Sequence, residues 1–315
     1  MYPISDHFDG KRFFNPWGAN VAKSLLDVLK WKLGGGQRAW PPSPPPDQMA
    51  PRFHPGADTA TTHVTYIGHA TTYLQSPSLS VLTDPQFSLR ASPLRFAGPK
   101  RFRPPALHLE ELPGVDAVVI SHNHYDHLDL PTLAALQRKF KPTFIVPLGN
   151  AKLLTETGLK NLVELDWWQS HEGVQLVPAQ HWSARSLRDR NQALWGGFVL
   201  HMDGRKIFFA GDTGYGPHFK WIQDRLGAMD LSLLPIGAYE PRSFMKEQHM
   251  NPKDAMQAHF DLGSKQSFAI HYETFRLTDE GYHEPRQWLE RLKLEHNLAP
   301  PDFLLPRIGE TLVLP

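Results

Sequence analysis

There is no cysteine among the 315 residues. That excludes disulfides, thiolate nucleophiles and thiolate-held zinc, and it leaves the redox compartment open. Charge is nearly balanced, with 33 Lys and Arg against 32 Asp and Glu, so composition gives no case for nucleic acid as a partner. No apolar run approaches the roughly 20 residues that span a bilayer, and residues 1–10 have no apolar stretch of signal-peptide length. Neither a G-x-S-x-G nucleophile elbow nor a phosphate-binding G-x-x-x-x-G-K-[ST] loop occurs, which argues against serine hydrolases and nucleoside triphosphatases. Internal repeats are also missing. What remains is the composition of a soluble globular protein, expected in the cytoplasm, with peripheral membrane contact left open.

Histidine, by contrast, is plentiful, at 17 residues. Three of them fall in the stretch His122-Asn123-His124-Tyr125-Asp126-His127, directly after the apolar run Ala117-Val118-Val119-Ile120. Imidazole nitrogen and carboxylate oxygen are the donors that zinc and similar divalent ions take. If a strand ends near Ser121, His122 and His124 point the same way in extended chain, and a turn then aims Asp126 and His127 at a second point. Five further polar residues sit just past apolar runs: His69, Asp84, His181, Asp212 and His271. The ends of strands in α/β sheets are where loops gather into sites, so these residues are expected to converge. The donors outnumber the needs of one tetrahedral ion, which makes two ions the expectation. Gly211 and Gly214 leave the backbone around Asp212 free to approach an ion.

Two parts are expected. Residues 1–56 carry a helix from Trp17 to about Leu33, opened by Asn15-Pro16 and closed by Gly34-Gly35-Gly36, and then a proline-rich arm at 41–46. Val21, Leu25, Val28 and Leu29 share one helix face, for docking on the body or, alternatively, resting on lipid headgroups. Residues 57–315 form the main domain. Strands are expected at 64–67, 80–83, 117–120, 144–146, 163–165, 174–178, 197–202, 206–210, 231–235 and 267–270, with Asp203-Gly204 turning a hairpin. Helices are expected from 129–131 to about 140, and at 150–157, 217–226, 252–262 and 284–294.

Longer strings narrow the reading. Gly68-His69-Ala70-Thr71, Leu82-Thr83-Asp84-Pro85, Gly98-Pro99-Lys100-Arg101-Phe102-Arg103, the cluster from Ile120 to Asp129, Pro178-Ala179-Gln180-His181-Trp182, Phe209-Ala210-Gly211-Asp212-Thr213-Gly214-Tyr215, Ile236-Gly237-Ala238-Tyr239-Glu240-Pro241-Arg242 and His271-Tyr272-Glu273-Thr274-Phe275 stand in this order. With them the chain resembles the metallo-β-lactamase superfamily, in its N-acylphosphatidylethanolamine phospholipase D-like branch, over roughly residues 60–310. Phe14-Asn15-Pro16-Trp17 matches that branch ahead of its first helix.

The resemblance implies an αββα sandwich of two mixed β-sheets. It implies that His122, His124 and His181 hold one zinc, that Asp126, His127 and His271 hold the other, and that Asp212 bridges them; iron or manganese would suit the same donors. Asp126 and Asp212 are the implied catalytic carboxylates, with Asp84 and His249 in support. The implied reaction is hydrolysis of N-acylphosphatidylethanolamine to phosphatidic acid and an N-acylethanolamine by a hydroxide shared between the ions. Trp167, Trp168, Trp182 and Trp195 are candidates to line an acyl groove, and Arg90, Arg95, Lys100, Arg101 and Arg103 to hold an anionic headgroup. The alternatives are a hydrolase of the same fold acting on a soluble phosphodiester or a lactone, and a metal-stabilised binding protein without catalysis. The oligomeric state is left open between monomer and homodimer.

Overall fold

The computed structural model describes residues 2–19, 21, 30–31, 33–45 and 61–314. Two seven-stranded sheets lie face to face. The first runs in the spatial order β14 (Thr311–Leu314), β1 (Thr62–Gly68), β2 (Thr71–Gln75), β3 (Ser80–Thr83), β4 (Ala117–Val119), β5 (Thr143–Pro147) and β6 (Leu162–Leu165). The second runs β13 (Phe303–Leu304), β12 (Gln266–Ile270), β11 (Leu231–Pro235), β10 (Arg205–Phe209), β9 (Gly197–Met202), β8 (Val174–Val177) and β7 (Ser170–His171). Both sheets are mixed: β3 to β6 are parallel neighbours, as are β10 to β13, and the remaining pairs are antiparallel.

Strand periodicity decides which side chain faces which layer. In the first sheet Val81, Ala117, Val119 and Ile145 join the core between the sheets. Their neighbours Leu82, Val118, Ile120, Phe144 and Val146 turn to the opposite face. There they meet Leu133 and Leu136 of α1 (Leu130–Lys139) and Leu154 of α2 (Ala151–Glu156). This is why β4 reads as a continuous apolar run: both its faces are covered. Three helices bring apolar residues to the core of the second sheet. They are α3 (His218–Leu226) with Phe219 and Ile222, α5 (Pro252–Asp261) with Ala255, Met256 and Ala258, and α6 (Glu284–Glu295) with Leu289 and Leu292. A short α4 spans Arg242–Met245.

The N-terminal residues are built into this body. Phe8 and Phe13 belong to the main core, and Trp17 stacks on Trp167 and His218. Trp17 lies in a turn, its Nε1–H donated to Gln180 Oε1 at 2.6 Å, so no helix begins there. The body of the expected helix, with Leu25, Val28 and Leu29, and the division near residue 56 lie outside the described residues. Strands β2, β7, β13 and β14 and helix α4 are additions to the elements expected from sequence.

Candidate metal centre

The site forms where loops leave the strands. His122 to His127 follow β4, Asp84 follows β3 and His69 follows β1; His181 follows β8, Asp212 follows β10 and His271 follows β12. Several of these turns require unusual backbone. His69, Asp84 and His271 have φ of 59°, 32° and 62°, in the left-handed region that costs side-chain-bearing residues about 1–3 kcal/mol each. Two glycines let the loops close in. A Cβ on Gly211 would lie 2.4 Å from Ser121 Cβ, and one on Gly237 would lie 2.1 Å from the His271 carbonyl oxygen.

Four overlapping donor groups result among the described residues, and two of them, one around His122, His124 and His181 and one around Asp126, His127 and His271, have four members each. In the first, His124 Nδ1 lies 2.8 Å from His122 Nε2 and 3.3 Å from His181 Nε2. Asp212 Oδ2 stands 3.9 Å from both of those Nε2 atoms. In the second, His127 Nε2 is 3.2 Å from His271 Nε2, 3.3 Å from Asp126 Oδ2 and 3.1 Å from Asp212 Oδ2. His271 Nε2 is 3.4 Å from Asp126 Oδ2 and 3.1 Å from Asp212 Oδ1. Donors 2.0–2.1 Å from a tetrahedral ion are separated by about 3.3 Å, so the second cluster already has the edge lengths of such a site. Asp212 belongs to both. Its Oδ1 is buried with no hydrogen-bond donor among the described residues, the position of an oxygen kept for a cation.

The hydrogen bonds fix which nitrogen of each ring faces the cluster. Asp84 accepts from His127 Nδ1 at 2.6 Å, from the Ser121 amide at 2.7 Å and from Ser121 Oγ at 2.5 Å. A carboxylate only accepts, so Ser121 Oγ spends its proton on Asp84 and takes the Nδ1 proton of His122, 2.9 Å away. His181 Nδ1 donates to the Gln248 carbonyl at 2.9 Å. Each of these three rings therefore turns an Nε2 lone pair inward, the arrangement in which an outer partner locks a metal-binding imidazole. His124 reverses this, with Nδ1 inward and a buried Nε2 that has no partner among the described residues.

The charges agree with a cation site. Burial pushes the His122 and His181 rings well below their ordinary pKa, and takes His124 down to about 4, so all three are neutral donors. Burial alone would raise Asp212 and Asp126, but His127 and the other imidazoles hold both well below the usual carboxylate range. Against the pull of burial, Asp212 and Asp126 hold His127 well above its ordinary value. A field that draws a proton to that point draws a divalent ion equally.

His69 donates to Asp126 Oδ2 at 3.0 Å and stands with Asp126, His127 and His271 in the second donor group. His249 Nδ1 lies 3.7 Å from Asp212 Oδ2 on the wall of the site. A cavity of about 420 Å³ opens over His124, Asp126, Asp212 and His249, with Trp182, Phe244, Met245 and Leu277 among its apolar walls. Trp182 is thus the member of the expected tryptophan set that lines it, while Trp195 and Trp167 are core residues and Trp168 lies under Arg225. Trp31, within the helix expected from Trp17 to about Leu33, supplies a further wall; its Nε1–H is donated to Asp279 Oδ2 at 2.7 Å. The basic loop is also split. Arg101 is buried against Gln86 and Phe275, and Arg103 is paired with Glu273 at 3.2 Å, so only Arg90, Arg95 and Lys100 are left near the surface to meet a headgroup. Ser121, Gln248 and Arg190 are site residues that sequence spacing did not single out.

Residues 80–272 match the model of the β-lactamase superfamily domain. An N-acyl-phosphatidylethanolamine-hydrolyzing phospholipase D of Caenorhabditis elegans is 36% identical over 96% of this chain and 91% of its own. The chain belongs to the metallo-β-lactamase superfamily, in its N-acylphosphatidylethanolamine phospholipase D-like branch. A second relative in this branch, the mitochondrial enzyme of that name from Saccharomyces cerevisiae, is 38% identical over 72% of this chain and 51% of its own. An uncharacterized protein of Mycobacterium tuberculosis is 41% identical over 85% of this chain and 72% of its own. Among solved structures, a metallo hydrolase from Ignicoccus hospitalis matches 81% of this chain and 99% of its own at a TM-score of 0.61 and 22% identity, which shows the fold. Superfamily and donor set together make the protein a metal-dependent hydrolase. Among the described residues no helix is long and apolar enough to cross a membrane.

Proposed function

We propose that the protein is a binuclear phosphodiesterase that cleaves N-acylphosphatidylethanolamine-type phospholipids into phosphatidic acid and N-acylethanolamine, with two zinc ions as its cofactors. The observation that carries the reading is a pair of donor clusters sharing Asp212 at the floor of an apolar-walled cavity. His122, His124 and His181 are assigned to one ion, Asp126, His127 and His271 to the other, and Asp212 to both. When bound, such a pair neutralises phosphate oxygens and makes water acidic enough to act near neutral pH.

The chain's own residues prepare for that chemistry. Asp84 and Ser121 hold His127 and His122 in one tautomer, and the Gln248 carbonyl does the same for His181. Asp126, facing the cavity, orients water, while His69 on its Oδ2 holds the carboxylate in place. His249 on the wall is placed to hydrogen-bond a phosphate oxygen or the departing headgroup. Trp182, Phe244, Met245 and Leu277 give an acyl chain a dry surface. The curated relatives from worm and yeast carry this activity in their names, which supports the lipid over a soluble substrate.

The test uses purified protein with a fluorescent N-acylphosphatidylethanolamine in mixed micelles, bis-p-nitrophenyl phosphate and a lactone, each with and without chelator. Turnover of the lipid, abolished by chelator and reduced at least about a hundredfold in Asp212→Ala and His122→Ala, is the expected result. Lactone turnover without lipid turnover would refute the phosphodiesterase assignment. Metal analysis of the as-purified protein accompanies it, because a fold neighbour from Streptomyces venezuelae is a diiron β-hydroxylase.

A further inference from the structure

Among the described residues lining the cavity, Arg190 is the single lysine or arginine. Its guanidinium lies 4.4 Å from the centroid of the Trp182 ring. The Trp182 ring in turn contacts the His124 ring at 4.4 Å. Arg190 therefore stands one aromatic ring removed from a metal-binding imidazole, beside the donors rather than among them. One of its N–H groups is donated to the Val21 carbonyl at 2.9 Å, and the others have no hydrogen-bond partner among the described residues. No carboxylate among the described residues pairs with it either. Burial, and secondarily Arg12, bring its pKa down. Two further arginines beside the site are already engaged: Arg185 donates to the Asn123 and Leu128 carbonyls and lies over Tyr125, and Arg242 donates to the His249 carbonyl and pairs with Asp254.

A part-buried guanidinium with open donors facing a cavity is built to receive an oxyanion. The scissile phosphate belongs to the donor clusters, so the anion for Arg190 is a second one, a few bonds away. An N-acylated ethanolamine headgroup has no such charge. A headgroup with a carboxylate on the carbon that bears the amide nitrogen, as serine has, places one three bonds from the ester oxygen.

We propose that Arg190 selects N-acylated phospholipids whose headgroup carries a carboxylate. This rests on the phosphodiesterase reading above and sharpens its substrate class. The reaction is unchanged: the oxygen of water bonds to phosphorus, the phosphorus–oxygen bond to the headgroup breaks with its electron pair, and the headgroup oxygen takes a proton. Phosphatidic acid and an N-acylserine-type product result.

The experiment compares kcat/KM for N-acylphosphatidylserine and N-acylphosphatidylethanolamine in neutral-detergent micelles, using the metal-loaded full chain, Arg190→Gln and Arg190→Lys. Beside them run two soluble substrates, the glycerophosphodiesters of N-acetylserine and N-acetylethanolamine, assayed by the N-acetyl headgroup released. The wild type is expected to favour the carboxylate-bearing member of each pair by about tenfold or more, the value of a charge-assisted hydrogen bond. Arg190→Gln should bring that ratio close to one, and Arg190→Lys should restore part of it. A wild-type ratio near one, or a ratio unchanged in Arg190→Gln, overturns the proposal. An equal fall for both members of a pair would mark Arg190 as a packing residue and overturns it too. If neither lipid is cleaved while the soluble diesters are, the lipid reading fails by itself, and the soluble ratio decides the role of Arg190.

Discussion

Asp84 shows how much of a metal site lies outside its ligands. It is fully buried and receives the His127 ring, the Ser121 amide and the Ser121 hydroxyl. Through Ser121 it also reaches His122, so one carboxylate orients a donor in each cluster. Replacing it with asparagine keeps the shape but puts an amide group where two protons point. Asp84→Asn is therefore expected to weaken metal binding and activity about 10–100-fold with the fold retained, read by metal titration and circular dichroism. At this scale the sequence was informative where residue type and position at a strand end coincided, as at His122, Asp212 and His271. It was silent on Gln248, whose backbone carbonyl holds His181, because a main-chain contact leaves no mark in residue identity. Arg101 and Arg103 show the opposite failure: charge in a loop suggested a surface, and Glu273 and Gln86 drew both inward.

Among the elements, the strands with two covered faces were the most legible. The runs at Ser80–Thr83, Gly197–Met202 and Leu231–Pro235 appear with the bounds their apolar pattern gives. Strands β2 and β14 were not legible: Thr71-Thr72-Tyr73-Leu74-Gln75 and Thr311-Leu312-Val313-Leu314 lack distinctive turn signals, and pairing with β1 defines them. The N-terminal segment was expected to pack on the body or extend from it, and Phe8, Phe13 and Trp17 pack against the body. His7 adds a titratable latch. Its Nε2 meets Asp166 at 2.7 Å and its Nδ1 meets Asp6 at 2.6 Å, while its ring stacks on Trp167 at 4.3 Å. Burial alone would lower its pKa, but the two carboxylates outweigh it and hold His7 above the ordinary 6.5. The folded state thus binds this proton more tightly than the unfolded chain. The stabilisation is complete below about pH 6.5 and is lost as pH rises through the higher folded value. Thermal melts should show wild type losing stability relative to His7→Gln across that window; parallel profiles would remove the latch.

For the whole molecule, the arrangement of the donors matters most. The first sheet gives His122, His124, Asp126 and His127, and the second gives His181, Asp212 and His271. The αββα architecture was implied by family resemblance and not by periodicity, since alternating strands and helices suit several α/β folds. An ion gripped from both sheets binds the folded chain far better than the unfolded one. Chelation should therefore lower the thermal midpoint, and added zinc should raise stability by about 4 kcal/mol once free metal exceeds its dissociation constant a thousandfold. A midpoint indifferent to chelator would contradict a cation shared between the sheets. A centre assembled from two halves has a consequence for biogenesis as well. With the ligands assigned above, neither half carries a complete set, so metal loading would follow the docking of one half against the other, and a chain halted midway through synthesis would be inert toward its substrate.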